Sequence, residues 1–330
     1  MVERKRRRAG AWLKGAGFVA DRTVVLFVGV GVGMAIALAF QGHGSVFGAA
    51  TPSPAPASTS KVAGGPARGQ APIQAATPPR DCAAPVPSRL LTKIAAGQPI
   101  TIGVFGDSFG DGVWAALYRQ LAKDNIKVLR LSHEGTGFTR YQTTNLEEKA
   151  AEQVAAEPVD LAVVVIGAND TQGLFEGKHA YAFLSPGWKA AYGGRIDRFV
   201  SVIRGQGAMV YWLGLPKMRQ PRYDQDVAAL NEFAATRMAA LDVPYLSTRE
   251  LSVDDKGDFN LYLSDPGARE PRLMRANDGI HMTMTGYERL AGPLIARIRE
   301  YVAHARATAS LSVPAPEGGP LAATTGGGAS

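Results

Sequence analysis

Short unbroken apolar runs alternate with longer amphipathic stretches through the middle of the chain. Runs at 99–105 (PITIGVF), 126–131 (IKVLRL), 161–166 (LAVVVI), 208–213 (AMVYWL) and a shorter one at 243–246 predict strands. The stretches between and after them, 111–123, 146–156, 188–205, 224–240 and 283–303, carry helical spacing. Continuous apolar strands separated by helices predict a parallel sheet covered on both faces. The expected fold is therefore α/β: a three-layer α/β/α domain with about five parallel strands, whose site lies beyond the carboxyl ends of those strands.

The pattern stops at both ends. Residues 42–88 are rich in Pro, Ala, Ser and Gly with almost no large apolar side chains, and 308–330 are similar. Such segments bury too little apolar surface to offset the entropy of ordering, so they are expected to be a disordered tether and a disordered tail around one domain at 89–307. Ahead of the tether, 23–40 (TVVLFVGVGVGMAIALAF) runs through 18 uncharged, mostly apolar residues, about the minimum for a membrane-spanning helix. A transmembrane anchor is expected at 23–41. The basic segment 1–22 then lies in the cytoplasm and the domain is periplasmic or otherwise extracytoplasmic, by the positive-inside rule. A cleaved signal peptide, with Gly48-Ala49-Ala50 as its cleavage site, is the rival reading, and it too exports the domain.

Charge supports that topology. The chain carries a formal +7, of which residues 1–22 hold +5: Arg4, Lys5, Arg6, Arg7, Arg8, Lys14 and Arg22 against Glu3 and Asp21. The remainder is nearly neutral, which argues against a nucleic-acid partner. Cys82 is the one cysteine, so no internal disulfide forms. No metal-ligand spacing or phosphate-binding loop occurs, and no cofactor is expected.

Four short segments carry candidate chemistry, each with a plainer explanation beside it. Gly106-Asp107-Ser108-Phe109-Gly110 puts Ser108 on a strand-to-helix turn, as an exposed nucleophile near helix-terminal N–H groups or as a simple helix cap. Gly167-Ala168-Asn169-Asp170 follows the third strand, offering the Asn169 amide to an oxyanion or merely forming a turn. Ser132-His133-Glu134-Gly135-Thr136-Gly137 follows the second strand. Gly137 is the candidate for a backbone oxyanion donor, with Gly135 as the fallback. Asn277-Asp278-Gly279-Ile280-His281 precedes the last helix, with a carboxylate placed to hold one imidazole nitrogen while the other faces a serine. The plainer reading is Asp278 as the cap of that helix. All four occur at ends of a doubly wound sheet that converge in space.

In these blocks, Gly106-Asp107-Ser108, Gly137, Gly167-Ala168-Asn169-Asp170 and Asp278-Gly279-Ile280-His281, the sequence resembles the SGNH (GDSL-like) hydrolase superfamily over about residues 100–302. The stretches 212–219 (WLGLPKMR) and 279–283 (GIHMT) further resemble an uncharacterised, membrane-linked bacterial subfamily. The resemblance implies a flavodoxin-like sheet and a triad of Ser108, Asp278 and His281. It also implies an oxyanion hole from the Ser108 and Gly137 N–H groups and the Asn169 side chain. Phe109 stands where the GDSL pattern has Leu, a packing position, and the second block lacks the Asn common before its glycine. Gly106-x-Ser108-x-Gly110 also satisfies the nucleophile elbow of α/β-hydrolases, but those enzymes place it after several strands and keep acid and base on separate loops.

The triad points to a serine esterase, and the expected membrane anchor directs it to O-acyl esters of cell-envelope glycans or peptidoglycan. The alternatives are an O-acyltransferase with the same triad and a silent binding module. Trp188, Tyr192 and Trp212 are candidates for stacking on sugars, with core packing as the plainer role. Arg269, Arg272 and Arg275 are candidates for holding an anionic substrate, or else a solvated loop.

Overall fold

A computed structural model describes residues 85–265 and 270–312. The basic segment, the predicted anchor at 23–41, nearly all of the tether with Cys82, and Arg269 lie outside the described residues. No helix among the described residues is long and apolar enough to cross a membrane.

Five strands form one sheet: β1 (Ile100–Gly106), β2 (Ile126–Arg130), β3 (Leu161–Val165), β6 (Met209–Leu213) and β7 (Tyr245–Leu246). Their order is β2-β1-β3-β6-β7 and every pairing is parallel. This is the doubly wound order of flavodoxin-like sheets. Helices α2 (Ser108–Gln120), α3 (Leu146–Ala156), α4 (Pro186–Arg204), α5 (Pro221–Ala240) and α6 (Met284–Ser312) fill the intervals that the hydrophobic pattern predicts.

Both faces of the sheet are buried, which is why its strands are apolar without interruption. Leu161, Val163 and Val165 of β3 enter one core with α2 and α6, while Ala162 and Val164 enter a second with α3 and α4. β1 and β6 divide in the same way, Ile102, Val104, Tyr211 and Leu213 against Phe105, Val210 and Trp212. Between β3 and α4 a small hairpin, β4 (Leu174–Glu176) with β5 (His179–Tyr181), rises from the carboxyl edge of the sheet. A second hairpin pairs β8 (Tyr262–Leu263) with β9 (Arg272–Leu273) ahead of the last helix.

Three features depart from the sequence-based boundaries. Helix α1 (Ser88–Ala95) opens at the last residue of the expected tether. Its Leu90 is buried in the α2–α6 core, and Arg89 and Lys93 reach the buried Asp160 carboxylate at 2.9 and 2.6 Å. Helix α6 continues through Ser312, inside the expected tail, because Tyr301, Ala305 and Ala309 extend its buried stripe at four-residue intervals. The sequence pattern predicts neither hairpin, since strands of two or three residues carry too little periodicity.

Candidate active site

The 106–110 turn and the 277–281 turn meet at the carboxyl edge of β1. Asp107 is the residue preceding α2, and its Oδ1 accepts the Phe109 N–H at 2.9 Å. The capping role that a serine often fills is therefore taken by its neighbour, leaving the Ser108 hydroxyl free. Ser108 Oγ lies 2.7 Å from His281 Nε2, and His281 Nδ1 lies 2.7 Å from Asp278 Oδ2. A carboxylate only accepts, so Nδ1 carries the proton and Nε2 presents its lone pair to the serine hydroxyl. Asp278 Oδ1 accepts the N–H groups of Ile280 and His281 at 2.8 and 2.9 Å. Burial by itself would raise the Asp278 carboxyl, but the bonds from the His281 ring and these two N–H groups outweigh it and hold it below the usual carboxylate range. The last helix is capped by Thr283, whose Oγ1 accepts the Gly286 N–H at 3.2 Å, so Asp278 is free of that duty.

Phe109 is buried, and its ring stacks on the His281 imidazole with centroids 5.3 Å apart and planes 25° from parallel. Tyr287 meets the same phenyl ring edge-on at 6.1 Å. The packing position predicted from the sequence is thus the backing of the imidazole, a contact with no local signal.

The segments 136–139 and 167–170, which follow β2 and β3, are fastened together. Asn169 Nδ2 donates to the Thr136 carbonyl at 2.9 Å, using one of its two amide hydrogens. Asp170 is fully buried and accepts four hydrogen bonds: from Phe138 N–H (3.0 Å), Thr139 N–H (2.9 Å), the Thr139 hydroxyl (2.7 Å) and the Tyr192 hydroxyl (2.9 Å). This carboxylate explains the glycine at 137, where a Cβ would sit 2.3 Å from Asp170 Oδ1. Gly137 is therefore beside the Asn169–Asp170 turn, whereas Gly135, the fallback, occupies an exposed turn at φ +71° with nothing near its missing side chain.

Asp107 joins the two halves of the site. Its Oδ2 accepts the N–H groups of Gly167 and Ala168, both at 3.1 Å, while the Tyr223 hydroxyl donates to the Ala168 carbonyl at 2.7 Å. Residue type and spacing alone give Asp107, Asp170 and Tyr223 no distinct role. The two aspartates stand next to Ser108 and Asn169 in polar turns, and only burial separates the anchoring residue from its functional neighbour.

Complete burial pushes the Asp107 carboxyl up to about 7, against the three backbone N–H bonds it accepts, and the nearby Asp170 carboxylate adds to the rise. Between the ordinary carboxylate range near 3.9 and about 7, the folded protein thus keeps a proton that the unfolded chain has lost. Stability from this group is complete at low pH and falls as pH rises through that window. Asp107→Asn cannot titrate, and its amide group opposes an N–H donor, so it is expected to be less stable than wild type at pH 5. The gap in Tm should narrow by pH 8. Melting curves of both proteins across that range check this, and a gap that stays constant counts against it.

Several candidates from the sequence do not reach the site. Trp188, Tyr192 and Trp212 are 0, 1 and 2 % exposed and belong to the core under α4, so they cannot stack on a sugar. Arg272 is exposed and pairs with Asp265 at 3.6 Å. Arg275 lies on no solvated loop: it is fully buried and forms a backbone bridge with Met282. Among the described residues no group of three or more His, Cys, Asp or Glu side chains could hold a metal ion.

Residues 101–297 match the model of a family described as a protein of unknown function (DUF459). No curated protein sequence matches the chain. Among solved structures, a GDSL-like lipase from Bacteroides thetaiotaomicron VPI-5482 is similar at 17 % identity and a TM-score of 0.43, covering 68 % of this chain and 95 % of the lipase. An M. smegmatis aryl esterase is similar at 16 % identity and 0.41, covering 61 % of this chain and 99 % of its own. A carbohydrate acetylesterase from Sinorhizobium meliloti is similar at 14 % identity and 0.41, covering 61 % and 98 %.

Proposed function

For a chain that belongs to the DUF459 family and has the SGNH-type α/β/α fold, we propose a serine ester hydrolase that works through an acyl-enzyme on Ser108. The supporting observation is the continuous path of two 2.7 Å hydrogen bonds from Ser108 Oγ through the His281 ring to Asp278.

In the first half-reaction Ser108 Oγ attacks the ester carbonyl while its proton passes to His281 Nε2. Asp278 holds Nδ1–H and stabilises the imidazolium. Charge developing on the carbonyl oxygen is met by the Ser108 N–H at the start of α2, the Gly137 N–H and the free Asn169 amide hydrogen. His281 then gives its proton to the leaving alcohol as the C–O bond breaks. Water, deprotonated by His281, attacks the acyl-enzyme, and the proton returns to Ser108 as the carboxylic acid departs.

The finer part of the proposal is that the enzyme works outside the cytoplasm on O-acyl esters of envelope glycans or peptidoglycan. Its support is the sequence at 1–40, a basic cluster followed by a long apolar run, which would keep the domain at a membrane surface. The experiment is reaction with a fluorophosphonate, followed by acetate release from acetylated glycans with and without an added sugar acceptor. Labelling of wild type, its absence in Ser108→Ala, and acetate release independent of acceptor are expected. Product that appears only on the acceptor would replace the hydrolase with an acyltransferase, and absence of labelling would remove the enzyme reading altogether.

A further inference from the structure

The stretch 212–219 and the buried Arg275 have no part in the chemistry above, yet both converge on the turn that carries Asp278 and His281. Nearly every carbonyl of that turn is held from outside it. Arg219 donates its Nη1–H to Asn277 O at 2.8 Å and its backbone N–H to Gly279 O at 3.0 Å. Arg275 donates Nη2–H to Ile280 O at 2.9 Å, and Ala276 N–H bonds His281 O at 2.9 Å. Gly279, at φ +77°, is pressed so closely on Arg219 that a Cβ there would lie 2.6 Å from that of the arginine.

The two guanidinium groups share one aromatic ring. Arg275 lies 4.7 Å and Arg219 5.3 Å from the centroid of Phe259. Arg275 is completely buried, and its Nε and Nη1 have no hydrogen-bond partner among the described residues. A buried, under-satisfied cation disfavours folding, and an apolar side chain of the same length would fill the space at less cost. Packing therefore does not account for an arginine at 275, but its bond to Ile280 O, immediately before the catalytic imidazole, does. Arg219 stands on a firm base of its own. Asp224 accepts the Met218 N–H at 2.8 Å and is gripped at both oxygens by Arg249 at 2.9 Å.

We propose that Arg275 and Arg219 are positioning residues that clamp the 277–281 turn from its buried and exposed sides, setting the orientation of His281 toward Ser108. The inference rests on the triad reading of the site. Neither arginine touches Ser108, so the clamp acts through the imidazole. A displacement of about 1 Å in a catalytic group can lower turnover about 10²-fold.

The test uses Arg275→Met, Arg275→Lys and Arg219→Met, assayed on a short-chain ester, with Tm and the downfield proton resonance of the His281 Nδ1–H bond to Asp278 as independent readouts. Arg275→Met is expected to keep or raise Tm, lower kcat about 10²-fold, leave KM within about threefold, and broaden or lose the downfield signal. Arg275→Lys, which keeps a donor toward Ile280 O, should recover part of the kcat. Arg219→Met, on the exposed side, should lose roughly tenfold, and the double variant should fall short of the product of the two, because both act on one turn. Unchanged kcat and an unchanged downfield signal in a folded Arg275→Met overturn the clamp. So does a loss of kcat that merely tracks a fall in Tm and is not restored by lysine. Should Arg275→Met fail to fold, Arg219→Met decides by the same two readouts. A wild type that neither turns over esters nor reacts with fluorophosphonate defeats the esterase reading instead, and the downfield resonance still reports whether the arginines hold the turn.

Discussion

Ser108→Ala is expected to lower kcat on an ester substrate by at least about 10⁴-fold, the scale seen when a triad nucleophile is removed, while leaving Tm nearly unchanged. The asymmetry follows from the structure around the hydroxyl. Ser108 Oγ bonds to His281 Nε2, but the cap of α2 is Asp107, and the 167–168 and 138–139 segments are tied down by Asp107 and Asp170. Removing the oxygen takes away the attacking atom and no anchoring bond. Initial rates and thermal melts of purified wild type and variant measure the two quantities together. Retention of ester turnover in a folded Ser108→Ala rules out the acyl-enzyme on that residue.

Asp170→Ala is expected to be the most damaging substitution for stability near the site, because the carboxylate is buried and its removal takes the acceptor from four hydrogen bonds at once. Each unsatisfied buried donor costs about 1–3 kcal/mol, though water entering the vacated space would recover some of it. A net loss of roughly 3–5 kcal/mol lowers Tm by on the order of 10 °C for a domain of this size. Activity should fall as well, even where the variant remains folded. The freed 136–139 loop carries Gly137 and the Thr136 carbonyl that orients Asn169, and loss of one oxyanion donor typically costs roughly 10²–10³ in kcat. A melt within about 2 °C of wild type would show that Asp170 is not the rivet described here. Asn169→Ala is the useful comparison, since it removes one donor without orphaning the loop and should reduce kcat with little change in Tm.

The contrast between these neighbouring residues shows what was legible beforehand. Ser108, Asn169, Asp278 and His281 stand out in the sequence because their residue types, order and placement at strand ends match one chemistry. Each nevertheless has a plainer explanation as a cap or turn former. The structure distributes those plainer roles to the residues alongside: Asp107 caps α2, Thr283 caps α6, and Asp170 anchors the loop that Asn169 borders. Linear spacing does not reveal that division, since Asp107 and Asp170 are ordinary polar turn residues until their surroundings exclude water. Phe109 is similar, an aromatic at a packing position whose partner, His281, lies far along the chain.

Edges of the domain were legible only in part. The last helix outruns its expected end at 303 because small residues, Ala305 and Ala309, suffice for burial against neighbours that the sequence does not display. Helix α1 is held by Arg89 and Lys93 on Asp160, a contact across some 70 positions. The aromatic residues 188, 192 and 212 sit inside the core, where the same side chains that could bind a sugar serve to fill space.

What the sequence by itself determined is the alternation of strands and helices along the chain and the four blocks at strand ends, because apolar periodicity and turn chemistry are properties of neighbouring residues. Tertiary structure alone decided which aspartates are anchors, which aromatics are core, and that two arginines from separate loops grip the turn bearing Asp278 and His281. Those outcomes depend on desolvation and on hydrogen bonds between segments distant in the chain, and both come into being only when the sheet brings its loops together.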